Sequence, residues 1–119
     1  MSLTPVGKQV MLEAFTADAA YASIHTAAPD GSGSAEVSGG LPAYARQSIP
    51  WGAFSVDSIA STTDVDFDIP PGTSITHLGY WTAATGGVFL GSRPLEAPET
   101  YAGQGIHTIP SGSLVETIT

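Results

Sequence analysis

The run TTDVDFDI places Asp64, Asp66 and Asp68 in strict alternation with Val65, Phe67 and Ile69. In an extended strand this period of two sends the three carboxylates to one face and the three apolar side chains to the other. Such a row could hold a hard cation or supply a carboxylate pair for acid–base work. Neighbouring carboxylates on one face lie about 7 Å apart, however, and the run lacks the loop glycine and closing glutamate of an EF-hand. The solvated face of an amphipathic strand is the simpler explanation. Three histidines, His25, His77 and His107, fall in separate strand-like runs, where sheet pairing could bring two together on a metal. They show no H-x-H or H-E-x-x-H spacing, so histidines packed and held by hydrogen bonds account for them as well. No G-x-S-x-G turn singles out a serine as nucleophile. The residue types thus yield Asp64, Asp66 and Asp68 as metal candidates of low specificity, no catalytic residue and no cofactor motif.

The elements that would carry these residues begin with a helix over 3–17. Thr4 suits the N-cap and Pro5 the first helical position, where its missing N–H costs nothing. Leu3, Val6, Val10 and Ala14 form an apolar stripe at three- and four-residue spacing, widened by Met11 and Phe15. After the helix the period changes to two. YASIHT, ARQSIPW, DVDFDI, ITHLGYW, GVFLGS, GIHTI and SLVETI are short runs separated by Gly, Pro, Ser and Asp clusters. The fold this predicts is mainly β: an antiparallel β-sandwich or barrel-like domain over 21–119 with one N-terminal α-helix, the whole chain 1–119 forming a single domain. Paired glycines in AATGG mark a tight hairpin between ITHLGYW and VFLGS. Pro50, Pro94 and Pro110 place their runs at sheet edges or strand ends.

Composition removes several classes of function. Three basic residues, Lys8, Arg46 and Arg93, face eleven acidic ones for a net charge of −8, which argues against direct binding to a nucleic-acid backbone. Without cysteine there is no disulfide, thiol nucleophile or Cys-ligated zinc. The apolar runs fall short of the roughly 20 residues of a membrane helix, and MSLTPVGKQV lacks the segments of a signal peptide, so a cytoplasmic site of synthesis and no membrane partner are expected. Charged residues make up 12% of the chain, about half the usual share, which suits a subunit partly covered by neighbours. Aromatic and charged side chains suited to such contacts are Trp51, Tyr80 and Arg46. In ITHLGYW the adjacent Tyr80 and Trp81 must face opposite ways. Trp81, in step with Ile75, is expected in the core, and Tyr80, in step with Leu78, on the face open to a neighbour. The Gly/Ser-rich stretch 27–42 reads as a long surface loop kept solvated by Asp30 and Glu36, and loops of that length are usually functional. Asp30, Gly31 and Glu36 therefore join the interface candidates.

In their order, AAYASIHTAAPDGSGSAEVSGG, AYARQSIPWG and THLGYWTAATGGVFLG resemble a family of small tailed-bacteriophage structural proteins, variously labelled head decoration, minor tail or tail fibre proteins. In that family an alternating run, a Gly-rich loop ending in E-SGG, a YARQ strand and a GLW-A-GG hairpin recur. Here Tyr80 stands where leucine is more usual. The resemblance implies a virion component without catalytic residues or cofactor, made in the host cytoplasm. The function expected first is a capsid-surface decoration or minor capsid protein that binds and stabilises the shell. The alternative is a tail or tail-fibre module contacting other tail proteins or the host surface. A more distant one is a metal-dependent hydrolase using Asp64, Asp66 and a histidine. Expected partners are copies of the chain itself, with a trimer as a common solution at shell symmetry positions, and other virion proteins such as the major capsid protein or tail proteins.

Overall fold

Thr4 opens the N-terminal helix α1 (Pro5–Asp18), accepting the Gly7 N–H on its side-chain oxygen at 3.1 Å, with Pro5 in the first turn. The structure, a computed structural model, describes residues 3–55 and 58–112 and the backbone of 115–117. The expected stripe of α1 does not face the protein's interior: Val6, Val10 and Met11 are exposed, while Leu12 is buried and Phe15 packs edge-on against Tyr80. The helix has apolar residues on two sides, and spacing does not say which docks. The side with Leu12 and Phe15 leads into the fully buried Ala19 and packs on β3 (Ser58–Ala60).

Four strands form the main sheet in the order β2 (Gln47–Ser48), β1 (Tyr21–His25), β5 (Thr73–Trp81), β6 (Phe89–Tyr101), all antiparallel. A two-stranded ribbon, β4 (Val65–Ile69) with β7 (Gly105–Ile109), supplies a second layer, and β3 pairs with β8 (Val115–Thr117). Val65, Phe67 and Ile69 point from the ribbon into one core with Ala22, Ile24, Ile75, Leu78 and Tyr80 of the main sheet, a sandwich-like packing of a mainly β chain. The expected hairpin is present: β5 turns into β6 through Gly86 and Gly87, both at positive φ, with Trp81 opposite Phe89.

Two strand expectations need revision. ARQSIPW shrinks to the two residues of β2, and GVFLGS is only the start of β6, whose 13 residues run through Pro94 and Pro98. As an outer strand of its sheet, β6 tolerates proline. Of SLVETI, Val115–Thr117 form β8, while Ser113, Leu114 and Ile118 lie outside the described residues.

Pairing between β5 and β6 slips between Ile75/Glu99 and His77/Pro94, so that 95–98 on β6 stand opposite Thr76 alone. This bulge resets the alternation of β5. Ile75 and Leu78, three residues apart, both enter the core, and Tyr80 follows Leu78. The expected facing is therefore reversed: Tyr80 is a core residue, and Trp81 lies on the opposite face. That face is also closed, by the chain between β1 and β2. The stretch 27–42 is exposed at most of its residues, as expected of a surface loop, but it is anchored to the sheet at Gly33, Glu36 and Val37. It returns along β1 through Thr26 N–H to Ala35 O and Val37 N–H to Ile24 O, both at 2.9 Å, and buries Val37 in the core.

Gly33, at φ +77°, lies flat on the indole: a Cβ there would sit 2.4 Å from Trp81 Cζ2. Gly33→Ala should therefore destabilise the protein by about 2–4 kcal/mol, combining backbone strain with overpacking. Gly31→Ala, whose Cβ would meet nothing within 4 Å, should be near neutral. Urea unfolding of both variants checks the contrast, and equal midpoints would show that the loop does not rest on Trp81.

Candidate functional site

The closed face of the sheet is organised by Arg46. Its guanidinium lies over Trp81, with Cζ 3.5 Å from the ring centroid. Nε and Nη2 donate to the two carboxylate oxygens of Glu36, each at 3.0 Å, in a bidentate pair. Nη1 donates to Ala83 O at 3.0 Å and Gly86 O at 2.8 Å in the hairpin turn. One side chain thus fastens the 27–42 loop and the β5–β6 turn and stacks on the face of the indole. Tyr44 reinforces it: its hydroxyl donates to Glu36 at 2.9 Å and accepts the Ile24 N–H at 2.9 Å. Burial is the main cause that holds the Tyr44 hydroxyl protonated far above its usual range.

Beneath the indole lies a sealed polar chain. Trp81 Nε1–H donates to Ser23 Oγ at 2.9 Å, Ser23 Oγ is 2.7 Å from His25 Nε2, and His25 Nδ1 is 2.7 Å from Ser34 O. The Ser34 carbonyl can only accept, so Nδ1 carries the proton and Nε2 receives the Ser23 hydroxyl. Gly79 makes room, since a Cβ there would lie 2.5 Å from Ser23 Oγ. Ser23 and His25 are both fully buried, so this hydroxyl–imidazole pair has no access to a substrate. Desolvation lowers the His25 pKa against the opposing pull of Ser34 O and Glu36.

The interface candidates separate into two groups. Asp30 and Gly31 remain exposed at the loop tip, where Asp30 Oδ1 accepts the Ser32 N–H at 2.9 Å and the Ser32 hydroxyl at 2.6 Å. These bonds hold its carboxyl below the usual range. Glu36 and Arg46 pair with each other within the chain, and Glu36 is not a solvating charge: its side chain is 21% exposed. Trp51 is half-buried, donating from Nε1 to Ala19 O at 2.8 Å, and Tyr80 is 3% exposed between Phe15 and Trp51.

Asp66 and Asp68 stand on the outer face of β4, apart from the core-facing residues, and Asp64 lies just before the strand. Asp64 Oδ1 accepts the Ser111 N–H at 2.8 Å and Asp66 Oδ1 accepts the Thr108 hydroxyl at 2.6 Å, tying β4 to β7 and the turn after it. Among the described residues no group of three His, Asp or Glu side chains is placed to hold a metal ion. His25 and His77 are cross-strand neighbours, but His77 turns to the Thr76 hydroxyl at 2.8 Å. His107 binds the Tyr101 hydroxyl at 3.1 Å, and that hydroxyl donates to Glu99 at 3.0 Å; burial and Glu99 push its pKa up to about 12. A groove of about 230 Å³ lies beside this group, between the bulge of β6 and β7, with Leu95, Glu96, Glu99 and His107 among its walls.

Residues 9–117 match the family model described as Podophage GP4 fiber I protein gp80. The chain belongs to this podophage fibre protein family. No curated protein matches it. The match takes in all but the first turn of α1 and every strand through β8, so the loop, the Arg46 contacts and the hairpin are all inside it. The resemblance read from the sequence, in which tail fibre proteins are one of the labels, agrees with the family. What the sequence did not disclose is the second partner set of Arg46, the Ala83 and Gly86 carbonyls, because backbone acceptors leave no mark in residue types. The pairing with Glu36 had a faint signal, an arginine made rare by composition two residues after a tyrosine.

Arg46→Lys should cost roughly 2–3 kcal/mol, since an ammonium cannot satisfy Glu36 and two carbonyls at once while stacking on the indole. Thermal unfolding measures it, and an unchanged midpoint would refute the clamp. His25 gives a pH dependence of definite sign. Below about pH 6.5 the unfolded chain takes up a proton that the buried imidazole refuses, so stability is full above that pH and declines as pH falls through it. Stability measured between about pH 7.5 and 5 should fall for the native protein and fall less for His25→Gln. Parallel curves would mean that the His25 proton affinity is the same folded and unfolded.

Proposed function

We propose that this chain is a structural subunit of a tailed-phage fibre, fastened to other tail proteins and presenting the edge formed by the loop tip and the β5–β6 turn. The observation that carries this reading is the fibre family match across residues 9–117. The family description favours a place in the tail over one on the capsid surface. No structural feature described above favours a capsid position.

The chemistry of the chain suits a non-catalytic role. Ser23 and His25 are sealed under Trp81, and Asp64 and Asp66 are engaged in bonds between strands. With 12% charged residues and a net charge of −8, the surface is largely neutral and sparsely acidic, suited to contact with protein or with a polar host surface and unsuited to DNA. The Asp30–Ser32 turn and the nearby hairpin turn are held by a rigid base, which lowers the ordering cost of any contact they make.

Immunogold labelling of intact virions with antibodies against the purified protein tests the assignment. Gold on the tail or its fibres is the expected result. Gold spread over the head, at a copy number following shell symmetry, would overturn it in favour of capsid decoration.

A further inference from the structure

Strands β6 and β7 follow one another in the chain, yet they enter different sheets and leave the groove described above between them. Its floor is the edge of the core, Leu78, Leu95 and Ile109, and Glu96, Glu99 and His107 stand along its walls. On one side of it, the backbone of β7 has hydrogen-bonding groups to spare. Facing residues of an antiparallel ladder alternate between pairs that exchange two hydrogen bonds and pairs that exchange none. In the β4–β7 ribbon no backbone bond joins Asp64 to Pro110 or Gln104 to Pro70, which makes Val65/Ile109, Phe67/His107 and Ile69/Gly105 the bonded pairs. Ile106 and Thr108 therefore turn their N–H and C=O groups away from β4. The Tyr101 hydroxyl, on β6, agrees with this direction, reaching Ile106 O at 3.5 Å. Among the described residues, the Ile106 N–H and both backbone groups of Thr108 have no partner.

We propose that the groove receives an extended segment of a different protein, which adds to β7 as a third strand of the ribbon and carries apolar side chains alternating with Lys or Arg. A strand laid about 4.8 Å from β7 would answer the N–H and C=O of Thr108, and alternate side chains would rest on Leu78, Leu95 and Ile109. Volume argues against a small molecule, since about 230 Å³ is below the roughly 300 Å³ at which such sites begin. The other wall is a poorer edge for pairing. Strand β6 is blunted by Pro94 and Pro98, whereas β7 has no proline before it ends. The chain after β7 also turns away from the groove, because Ser111 N–H goes to Asp64 at 2.8 Å and Gly112 N–H to Ser61 O at 2.9 Å, both on the β4 side.

Charge selects the partner. Glu96 is exposed and has no partner among the described residues, and the Glu99 side chain is 52% exposed. Arg93, on the same strand, is already engaged. Two carboxylates beside the groove attract a basic segment and repel a second copy of a chain with net charge −8. The inference rests on the β6–β7 groove alone and stands whether the protein sits on tail or head.

The test is affinity selection of a displayed random octapeptide library on the full chain, followed by amide hydrogen exchange with the most enriched peptide made by synthesis. Enriched sequences should alternate apolar residues with Lys or Arg. With the peptide bound, the amides of Ile106 and Thr108 should slow by at least about tenfold, and those of His107 and Ile109, already bonded to β4, should slow less. That alternation separates a paired strand from a side chain that only fills the groove. Thr108→Pro removes an N–H that β4 does not use and should abolish binding. Glu96→Lys, at an exposed position, should weaken binding about tenfold with the thermal midpoint unchanged, and it decides the matter with the exchange pattern even if the proline variant folds poorly. Failure to enrich any sequence, enrichment of acidic ones, equal slowing along all of β7, or sedimentation showing that a second copy takes the edge would overturn the proposal.

Discussion

The fold depends on what Arg46 does with a single guanidinium. A four-stranded sheet has two faces to cover, and the β4–β7 ribbon and the end of α1 cover only one. The other carries Trp81, Ser23 and His25, and it is closed by a loop rich in glycine and serine that has little apolar surface of its own. Apart from Val37, such a segment has little to hold it down by burial. Arg46 supplies the fastening through the Glu36 carboxylate, two turn carbonyls and the face of the indole. Its side chain is only 10% exposed, and its bonds to Glu36 and Ala83 O are made where water competes poorly.

Several features follow from that arrangement. Gly33 must be glycine because the loop lies against the ring, and Gly79 must be small because Ser23 and His25 occupy the space its side chain would take. The Ser23–His25–Ser34 chain is fully paired, which is the condition for burying polar groups without a penalty. It resembles a catalytic pair only in its atom types. With both residues sealed, its role is to fix one rotamer of Trp81 and one path of the loop. The outer edge of this assembly, from Asp30 to the hairpin turn, is rigid at its base and polar at its tip.

Much of the architecture was legible in the sequence. The N-terminal helix with its Thr4 cap, the hairpin at Gly86–Gly87 and the outward row of Asp64, Asp66 and Asp68 came from local rules of capping, turn chemistry and alternation, which act over a few residues. The failures share one cause, which is that long-range geometry overrode a local period. The bulge at 95–98 shifted the register of β5, so Tyr80 and Trp81 exchanged the faces that strict alternation assigns. On α1 two apolar sides competed, and the larger side chains Leu12 and Phe15 won the interior. The loop is largely exposed, as its composition implied; what Gly, Ser and Asp content could not reveal is the arginine that pins it.

A fibre component must resist wear while exposing surface, and a loop folded into the sheet suits that need better than a mobile one. Native-state amide hydrogen exchange tests this most directly. The amides of Thr26, Val37 and Tyr44, which donate to Ala35, Ile24 and Gly39 carbonyls, should be protected to nearly the same degree as those pairing β1 with β5. Exchange of these three at the rate of an unstructured chain, while β1 and β5 stay protected, would contradict the account.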